Sequence, residues 1–186
     1  MIHSPDRVLR QSLTVLAIAL AWFALFNLND ALFSELQHSI RAHWIFLPAV
    51  MRPLAILLFG SVGAWGLVLG AYLTVHGTTE GNALHEVTLA LLSGLLPWLA
   101  VACARVPLQI PKSLSGLRPL DILVLCTLCA GVNAVGLNGY LWISGHLDNN
   151  PIQILTIFVG DLLGAAILLF LISSALAFWL PRRLRI

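Results

Sequence analysis

A long apolar run near the end of the chain limits what this protein can fold into more than any other feature. Ile152–Leu180 contains one ionisable residue, Asp161. The 19 residues that follow Asp161 are already enough to cross a hydrocarbon core of about 30 Å as a helix. We therefore predict a membrane-spanning helix here. Asp161 is expected near the outer membrane face, where a charge costs less than at the bilayer centre.

The composition extends this prediction to the whole chain. Hydrophobic residues make up 59% of the 186 residues, charged residues only 10%, and the mean hydropathy is +0.93. Soluble domains carry about 25% charged residues. Because a helix satisfies its own backbone hydrogen bonds in lipid, we predict an all-α integral membrane protein, with residues 1–186 in one transmembrane domain. About six spans account for this length, so that no residues remain for a soluble catalytic domain.

The apolar runs predict a bundle of about six transmembrane helices. The approximate spans are residues 12–28, 43–60, 66–76, 85–103, 121–143 and 152–180. With the N-terminus in the cytoplasm, eight of the ten basic residues fall on the cytoplasmic side of these spans. Cytoplasmic loops are normally enriched in Lys and Arg, so we predict that both termini are cytoplasmic.

The second and third spans are the least regular part of the pattern. Pro48 and Pro53 interrupt the second span, and Gly60–Gly66 has the composition of a tight turn. Residues 43–76 are therefore either two spans or one span with a re-entrant segment. Irregular backbone at membrane depth needs partners from protein or from a cavity, so we expect this hairpin to form a wall of any internal site. The polar connection before it, Asp30–Arg41, suits a short amphipathic helix at the interface.

Three helices carry pairs of small residues four positions apart. The pairs are Ala17 with Ala21, Gly66 with Gly70, and Gly160 with Gly164. Small residues at this spacing let another helix approach closely in a membrane. These faces are more numerous than one six-helix interior needs, so we predict a homo-oligomer or a stable complex with another membrane protein.

Six polar residues inside or near the spans are the candidates for a site. They are Arg52, Asn82, Glu86, Asn133, Asn138 and Asp161. Arg52 lies deep in its span and is expected to pair with Glu86 or Asp161. Polar residues within spans normally face the bundle interior and find partners there. Two interpretations stay open: a hydrogen-bonding network that stabilises the bundle, or a small-molecule pocket open to the outside.

The motifs of the chain do not predict catalysis or cofactor binding. The spans contain no nucleophile–base pair, and the histidines show no metal-ligand spacing. Cys126 and Cys129 have a C-x-x-C spacing, but without a second pair they are expected to be buried apolar residues. We predict a protein that is not an enzyme and has no catalytic residues, metal, cofactor or nucleic-acid partner.

The hairpin between the second and third spans resembles a known family. In Phe46–Leu73 it is similar to the first membrane-associated sensor domain family of bacterial signalling proteins. The matching positions are Pro48, Ala49, Gly60, Trp65 and Gly70. Two positions depart from the family: Met51 stands where it often has Gly, and Gly66 where Pro often follows the Trp.

Three later segments extend the resemblance over about residues 43–175. Gly81–Glu86 is similar to the start of the family's next span, and Asp121–Gly139 to its Asp-led span. Val159–Gly164 is similar to its Gly-Asp-x-x-Gly motif, which is the most specific match. The resemblance implies a sensor domain in the bacterial inner membrane. Family members usually carry a cytoplasmic signalling domain after the spans, whereas Ile186 follows the last span closely, which implies output through another protein.

The sequence therefore predicts a membrane sensor-like or binding module. A change in helix packing, caused by a ligand or a partner, would pass to another membrane protein. Such a change requires that the ligand bind two packings with different affinities. Two alternatives stay open: a substrate-binding subunit of a vitamin or metal transporter, and a small structural subunit of a larger membrane complex.

Overall fold

The protein is almost entirely helical in the computed structural model, which describes residues 5–39, 42–76, 82–110, 117–147 and 152–179. The α-helices in this part of the chain are α1 (Pro5–Phe33), α2 (Met51–Phe59), α3 (Ser61–Val75), α4 (Ala83–Ala104), α5 (Pro119–Ile143) and α6 (Ile152–Trp179). Short 3₁₀ helices are formed by Ser34–Leu36 and Leu47–Val50. Strands β1 (Gln37–Ser39) and β2 (Ala42–His43) pair in an antiparallel ribbon.

Four of the helices are long and apolar enough to cross a membrane. They are α1, α4, α5 and α6, whereas α2 and α3 are shorter apolar helices. The predicted helical architecture is confirmed, and these four helices agree with the prediction of a membrane protein. The ends of α4, α5 and α6 lie within two residues of the predicted spans 85–103, 121–143 and 152–180.

The first helix is longer than predicted. The predicted span covered residues 12–28, but α1 runs from Pro5 to Phe33. Its two ends carry exposed charged residues, among them Arg7 and Asp30. Hydropathy marks only the apolar middle of such a helix, whereas backbone hydrogen bonding continues through polar end residues. The connection after α1 contains a 3₁₀ turn and the β-ribbon, not the suggested amphipathic helix.

The predicted turn at Gly60–Gly66 is wrong, because one residue is enough to separate α2 from α3. Gly60 has φ 60° and ψ −130°, a backbone conformation that suits glycine, and α3 begins at Ser61. The third predicted span, residues 66–76, therefore starts five positions too late. Gly63 and Gly66 lie inside α3, where their missing side chains let Ala55 and Ile18 approach. These glycines serve close packing, not a turn.

Five helices pack side by side, α1 against α3, α3 against α4, α4 against α5 and α5 against α6, and α2 packs against α3 and α4. Glycines set the closest approaches. Ile18 and Trp22 of α1 lie against Gly66 and Gly70 of α3, where an added Cβ would come within 2.7 Å of their Cβ atoms. Gly94 of α4 lies equally close to α3. The core of this packing contains the fully buried Trp22.

The second predicted span, residues 43–60, does not begin as a helix. Residues 43–50, which we call the inserted segment, include the end of β2 and the 3₁₀ helix Leu47–Val50. The inserted segment lies against α6, where Gly160 and Gly164 face the backbone carbonyls of His43 and Phe46. The sequence predicted that another helix would pack against these glycines. Instead, the irregular backbone of the inserted segment packs against them, with its carbonyl groups close to the glycine Cα atoms.

Protein groups satisfy part of the irregular backbone in the inserted segment. The Phe46 N–H donates to the carbonyl oxygen of Gly160 at 3.0 Å, and the Leu47 N–H donates to Asn29 Oδ1 at 2.8 Å. Asn29 belongs to α1 and is buried. Backbone polar groups away from water need such partners, and here α6 and α1 provide them.

Of the three predicted small-residue faces, two are used within the chain. Gly66 and Gly70 pack against α1, and Gly160 and Gly164 pack against the inserted segment. The third pair points away from this packing: Ala17 is exposed and Ala21 is half-buried. Only this third face is therefore left for contact with another protein.

Candidate functional site

A buried ion pair links α2 to α6. Arg52 Nη1 donates to Asp161 Oδ2 at 2.5 Å, and the two side chains are 6% and 4% exposed. Asn133 of α5 donates to the same carboxylate oxygen through Nδ2 at 2.9 Å. Of the two partners predicted for Arg52, the structure selects Asp161. Three of the six candidate residues thus meet at one carboxylate group.

The expectation that Asp161 lies near the outer membrane face stays a prediction. Its partner Asn133 belongs to the 25-residue helix α5. Asp161 itself lies in the interior of the helix packing, with 3% of its surface exposed. The carboxylate is tolerated there because a guanidinium and an amide both donate to it.

Local sequence explains how Arg52 comes to lie beside Asp161. Pro53 lies in the first turn of α2, where a missing N–H breaks no intrahelical hydrogen bond. The helix can therefore start directly after the 3₁₀ helix Leu47–Val50. Because Gly160 and Gly164 admit the inserted segment against α6, the first turn of α2 is brought beside Asp161.

Aromatic rings surround the Arg52 guanidinium. Its Cζ atom lies 5.4 Å from the ring centre of Trp22 and 5.4 Å from that of Phe46. These two rings meet edge to face at 5.9 Å, and Phe26 contacts Phe46 in the same way at 6.3 Å. Such cation–π contacts are worth up to about 2 kcal/mol when desolvated. They hold Arg52 in place without using its hydrogen-bond donors.

A cavity of about 160 Å³ adjoins the ion pair. Residues from all six helices and from the inserted segment contribute to its wall. Its apolar lining includes Trp22, Phe26, Phe46, Leu89, Leu137 and Ile157. Its polar lining includes His43, Arg52, Thr74, Ser93, Asn133 and Asp161. The predicted role of the hairpin as a wall of an internal site agrees with this arrangement.

Three nitrogen atoms of the lining residues are buried without a hydrogen-bond partner among the described residues. They are Trp22 Nε1, His43 Nδ1 and Arg52 Nε. A buried donor left unsatisfied costs about 1–3 kcal/mol, and most buried polar atoms in proteins have partners. These three atoms have almost no accessible surface, so they lie behind the wall of the cavity and do not face into it.

His43 of β2 is a polar member of the cavity wall and is buried. Its ring lies against that of Phe46, with 5.6 Å between the ring centres. A neutral imidazole can either donate or accept through Nδ1, depending on its tautomer.

The other three candidate residues lie away from the ion pair. Asn82 caps α4, where its Oδ1 accepts from the His85 N–H at 3.2 Å. Glu86 pairs with His76 at 2.9 Å, not with Arg52. Asn138 donates to the carbonyl oxygen of Ala134 on its own helix at 2.7 Å. These contacts support helix ends and helix packing, and none of these three residues lines the cavity.

Trp22, His43 and Asn29 were not among the sequence candidates, although each supports the site. For Trp22 and Asn29 a signal was present. Ile18, Trp22 and Asn29 recur at spacings of four and seven along α1, which places them on one buried face. His43 gave no signal, because its role depends on where the inserted segment lies.

Comparison of the chain with protein-family models, with curated proteins and with solved structures finds no match. The resemblance to the sensor domain family therefore stays a prediction. Within the described residues, no group of three or more His, Cys, Asp or Glu side chains is arranged to hold a metal ion.

Proposed function

We propose that this protein is a sensor-like binding module in a membrane, which binds a small molecule and passes its state to another membrane protein through helix packing. The observation that carries the proposal is the cavity beside the Arg52–Asp161 pair. The wall of this cavity combines apolar side chains with polar ones, among them Thr74 and Ser93, as is usual for a small-molecule site.

The arrangement of the cavity suits a signal carried by packing. All six helices contribute lining residues, so a bound molecule contacts several of them at once. The inserted segment lines the cavity through His43 and Phe46 and also packs against α6. A ligand that prefers one position of this segment would shift the packing of α6 and α1. The face of α1 that carries Ala17 and Ala21 is where a second copy or another membrane protein would contact the helix and respond to the change in packing.

A substrate-binding subunit of a small-molecule transporter is the main alternative function. It shares the requirement for a small-molecule cavity and differs in its partner. A structural subunit of a larger complex requires no ligand at all. Ligand retention and partner recovery therefore separate the three functions.

Filling the cavity tests whether it binds a molecule. Ala71 lines the cavity and is 3% exposed, so Ala71→Leu places three more carbon atoms at its wall. We expect a small molecule to be released from the gently purified protein on denaturation, and to be lost from Ala71→Leu. Mass spectrometry of the extract measures this. Ala102→Leu, at an exposed position of α4, is the matched control and should retain the molecule.

Equal small-molecule content in both variants, or none in the unmodified protein, would contradict the binding function and favour a structural subunit. Crosslinking in the native membrane then distinguishes the remaining possibilities. A signalling protein or a second copy supports the sensor-like module, whereas a transport ATPase supports the transporter subunit.

We further propose that the chain crosses the bacterial inner membrane six times, with both termini in the cytoplasm. The positive-inside pattern supports this orientation.

Single cysteines test this topology in a background without the three native cysteines. We expect cysteines at Asn82 and His146 to react with an impermeant thiol reagent added to whole cells, and a cysteine at Gln109 to be protected. All three positions are exposed, whereas the loop positions Thr79, Ser113 and Asp148 lie outside the described residues. Labelling at Gln109 alone would invert the orientation.

A further inference from the structure

The first helix has one side that the rest of the described chain leaves uncovered. Of the four helices long and apolar enough to cross a membrane, α1 is the least buried: 17% of its apolar stretch is buried, against 33–39% in the other three. Its buried residues, among them Ile18, Trp22 and Asn29, lie on the side that faces the bundle. The opposite side is therefore available to a partner.

The residues on this opposite side repeat with the spacing of a coiled coil. Alternating steps of four and three residues connect six exposed positions, which we call the α1 seam: Leu13, Ala17, Leu20, Ala24, Asn27 and Ala31. At 3.6 residues per turn, these positions lie within about 40° of one line along the helix, and Trp22 lies on the opposite side. Two helices that cross at about 20° stay in contact along such a line.

Large and small side chains alternate in the apolar part of the α1 seam. Leu13 and Leu20 are 57% and 63% exposed, and the exposed Ala17 and Ala24 follow them in turn. Small residues let the backbones of two membrane helices approach closely, and the leucines fill the layers between them. The α1 seam therefore has the shape of a helix–helix contact.

The membrane limits how two copies of the chain can meet along the α1 seam. Every copy has the same pattern of charges and is therefore inserted in the same orientation. Two copies then meet with their α1 helices parallel and related by a two-fold axis. Each seam residue lies opposite the same residue, or opposite its neighbour in the seam, of the second copy. A seam that binds itself must therefore carry polar groups that complement themselves.

Asn27 meets this requirement toward one end of the α1 seam. Its Nδ2 atom donates to the carbonyl oxygen of Phe23 at 2.7 Å, and its Oδ1 atom accepts from no residue in the described part of the chain. A carboxamide has two N–H donors and an acceptor oxygen, so one N–H and the oxygen remain for a second Asn27. An asparagine at a seam position fixes the register of two parallel helices.

Asp6 and Arg10 meet the requirement at the other end. They continue the steps of the α1 seam, seven and three residues before Leu13. Both are exposed, and neither forms an ion pair with a residue that the structure describes. In a parallel pair, Arg10 of each copy lies beside Asp6 of the other, which gives two pairs of opposite charge. Such charge complementarity favours a second copy over a helix without matching charges.

We infer that the α1 seam is the interface of a parallel, two-fold homodimer, in which Asn27 pairs with Asn27, and Arg10 with Asp6, of the second copy. This inference names the partner in the proposed function and rests on the proposed insertion in a membrane, but not on the ligand. Ala17 belongs to the interface together with Ala24. Ala21 lies further round the helix and is half-buried, so it is outside the α1 seam.

Disulfide crosslinking in native membranes tests the interface. The full chain without its three native cysteines carries one new cysteine at a time, at Leu13, Ala17, Leu20 or Ala24. Oxidation is followed as a band at twice the chain mass of 20.2 kDa. Ser12→Cys and Phe23→Cys are the matched controls, because both positions are exposed but lie beside the α1 seam. We expect several-fold more crosslinking at the four seam positions than at the controls.

Charge reversal tests the parallel pairing. Arg10→Asp brings acidic side chains together and should weaken dimerisation in liposomes about fivefold, as measured by energy transfer between labelled copies. The double variant Asp6→Arg/Arg10→Asp should restore dimerisation, which loss of an N-terminal structural role would not do. Arg7→Asp makes the same change of charge off the α1 seam and is the control, with dimerisation expected to stay as in the unmodified protein.

Several outcomes would overturn the inference. Equal crosslinking at Ser12 and at the seam positions would show random collision, and strongest crosslinking in an Ala21→Cys variant would place the contact on another face of α1. A product of a different mass would show another membrane protein on the α1 seam. No recovery in the double charge variant would exclude the parallel pairing of Arg10 with Asp6.

The proposed binding function fails by a different result. It depends on the small molecule that the cavity-filling experiment measures, whatever the pattern of crosslinking. A chain that retains the molecule but does not crosslink along α1 would overturn only the homodimer. A chain that crosslinks along α1 but retains no molecule would overturn only the binding function.

Discussion

Removal of either charge from the Arg52–Asp161 pair is expected to lower the free energy of unfolding by about 3–5 kcal/mol. Both side chains are at least nine-tenths buried, so the charge that remains stays in the interior without its countercharge. Asp161→Leu and Arg52→Met are the two variants, and reversible unfolding in mixed micelles is the measurement. Asp161→Asn should lose less than Asp161→Leu, because its amide keeps an acceptor oxygen for Arg52 and Asn133.

Two controls separate burial from charge in this experiment. The double variant Arg52→Met/Asp161→Leu should lose less than the sum of the single variants, since it leaves no unpaired buried charge. Arg118→Met removes the pair with Asp121, in which the Arg118 side chain is 74% exposed, and should cost less than about 1 kcal/mol. Equal stability of the unmodified protein and all Asp161 variants would mean that Asp161 faces water or lipid headgroups.

Adding one methyl group at Gly160 or Gly164 is expected to displace the inserted segment. The new Cβ would overlap the carbonyl oxygen of His43 in one case and that of Phe46 in the other. A backbone carbonyl cannot rotate away as a flexible side chain can, so the whole segment must move. We expect each of Gly160→Ala and Gly164→Ala to lower the free energy of unfolding by about 3 kcal/mol, measured as above.

The same two variants should also lose the bound small molecule, because Phe46 and Arg52 move with the segment. Gly139→Ala is the matched control, since Gly139 lies inside α5 and a Cβ there meets no atom within 4 Å among the described residues. It should leave the stability unchanged or raise it by up to about 1 kcal/mol, as alanine favours a helix over glycine. If Gly160→Ala behaved like Gly139→Ala, the inserted segment would not pack against α6.

These experiments bear on a site that the sequence revealed only in part. Polar residues within apolar runs are recognisable because each is costly unless it has a partner or a function. That reasoning found Arg52, Asn133 and Asp161. It also selected Asn138, which satisfies its amide nitrogen on its own helix. Residue type alone does not distinguish a carbonyl one turn away from a carboxylate on another helix.

Glycine had the same ambiguity in the hairpin. A cluster such as Gly60–Gly66 is compatible with a turn, with close packing, or with both. In the structure Gly60 separates two helices through its positive φ, and Gly66 lies inside α3 to admit Ile18. The difference depends on which neighbour approaches each glycine, and that neighbour is up to 48 residues away in the chain.

The apolar runs were sufficient to predict a helical chain with helices of membrane-spanning length and to locate three of them. Continuous apolar runs in α4, α5 and α6 leave helix as the structure that satisfies the backbone in lipid, so their ends could be located within two residues. Helix formation in each run depends on its own residues, so each run can be interpreted without reference to the others.

Arg52 and Asp161 are 109 residues apart, and the choice of Asp161 over Glu86 as the partner, like the cavity beside the pair, depends on tertiary packing. Both depend on the inserted segment, which passes between α1 and α6 as irregular backbone. Its position is set by two glycines on α6, by Asn29 on α1 and by the rings of Trp22 and Phe46. A site of this kind arises from contacts among elements distant in the chain, and neither hydropathy nor periodicity contains information about such contacts.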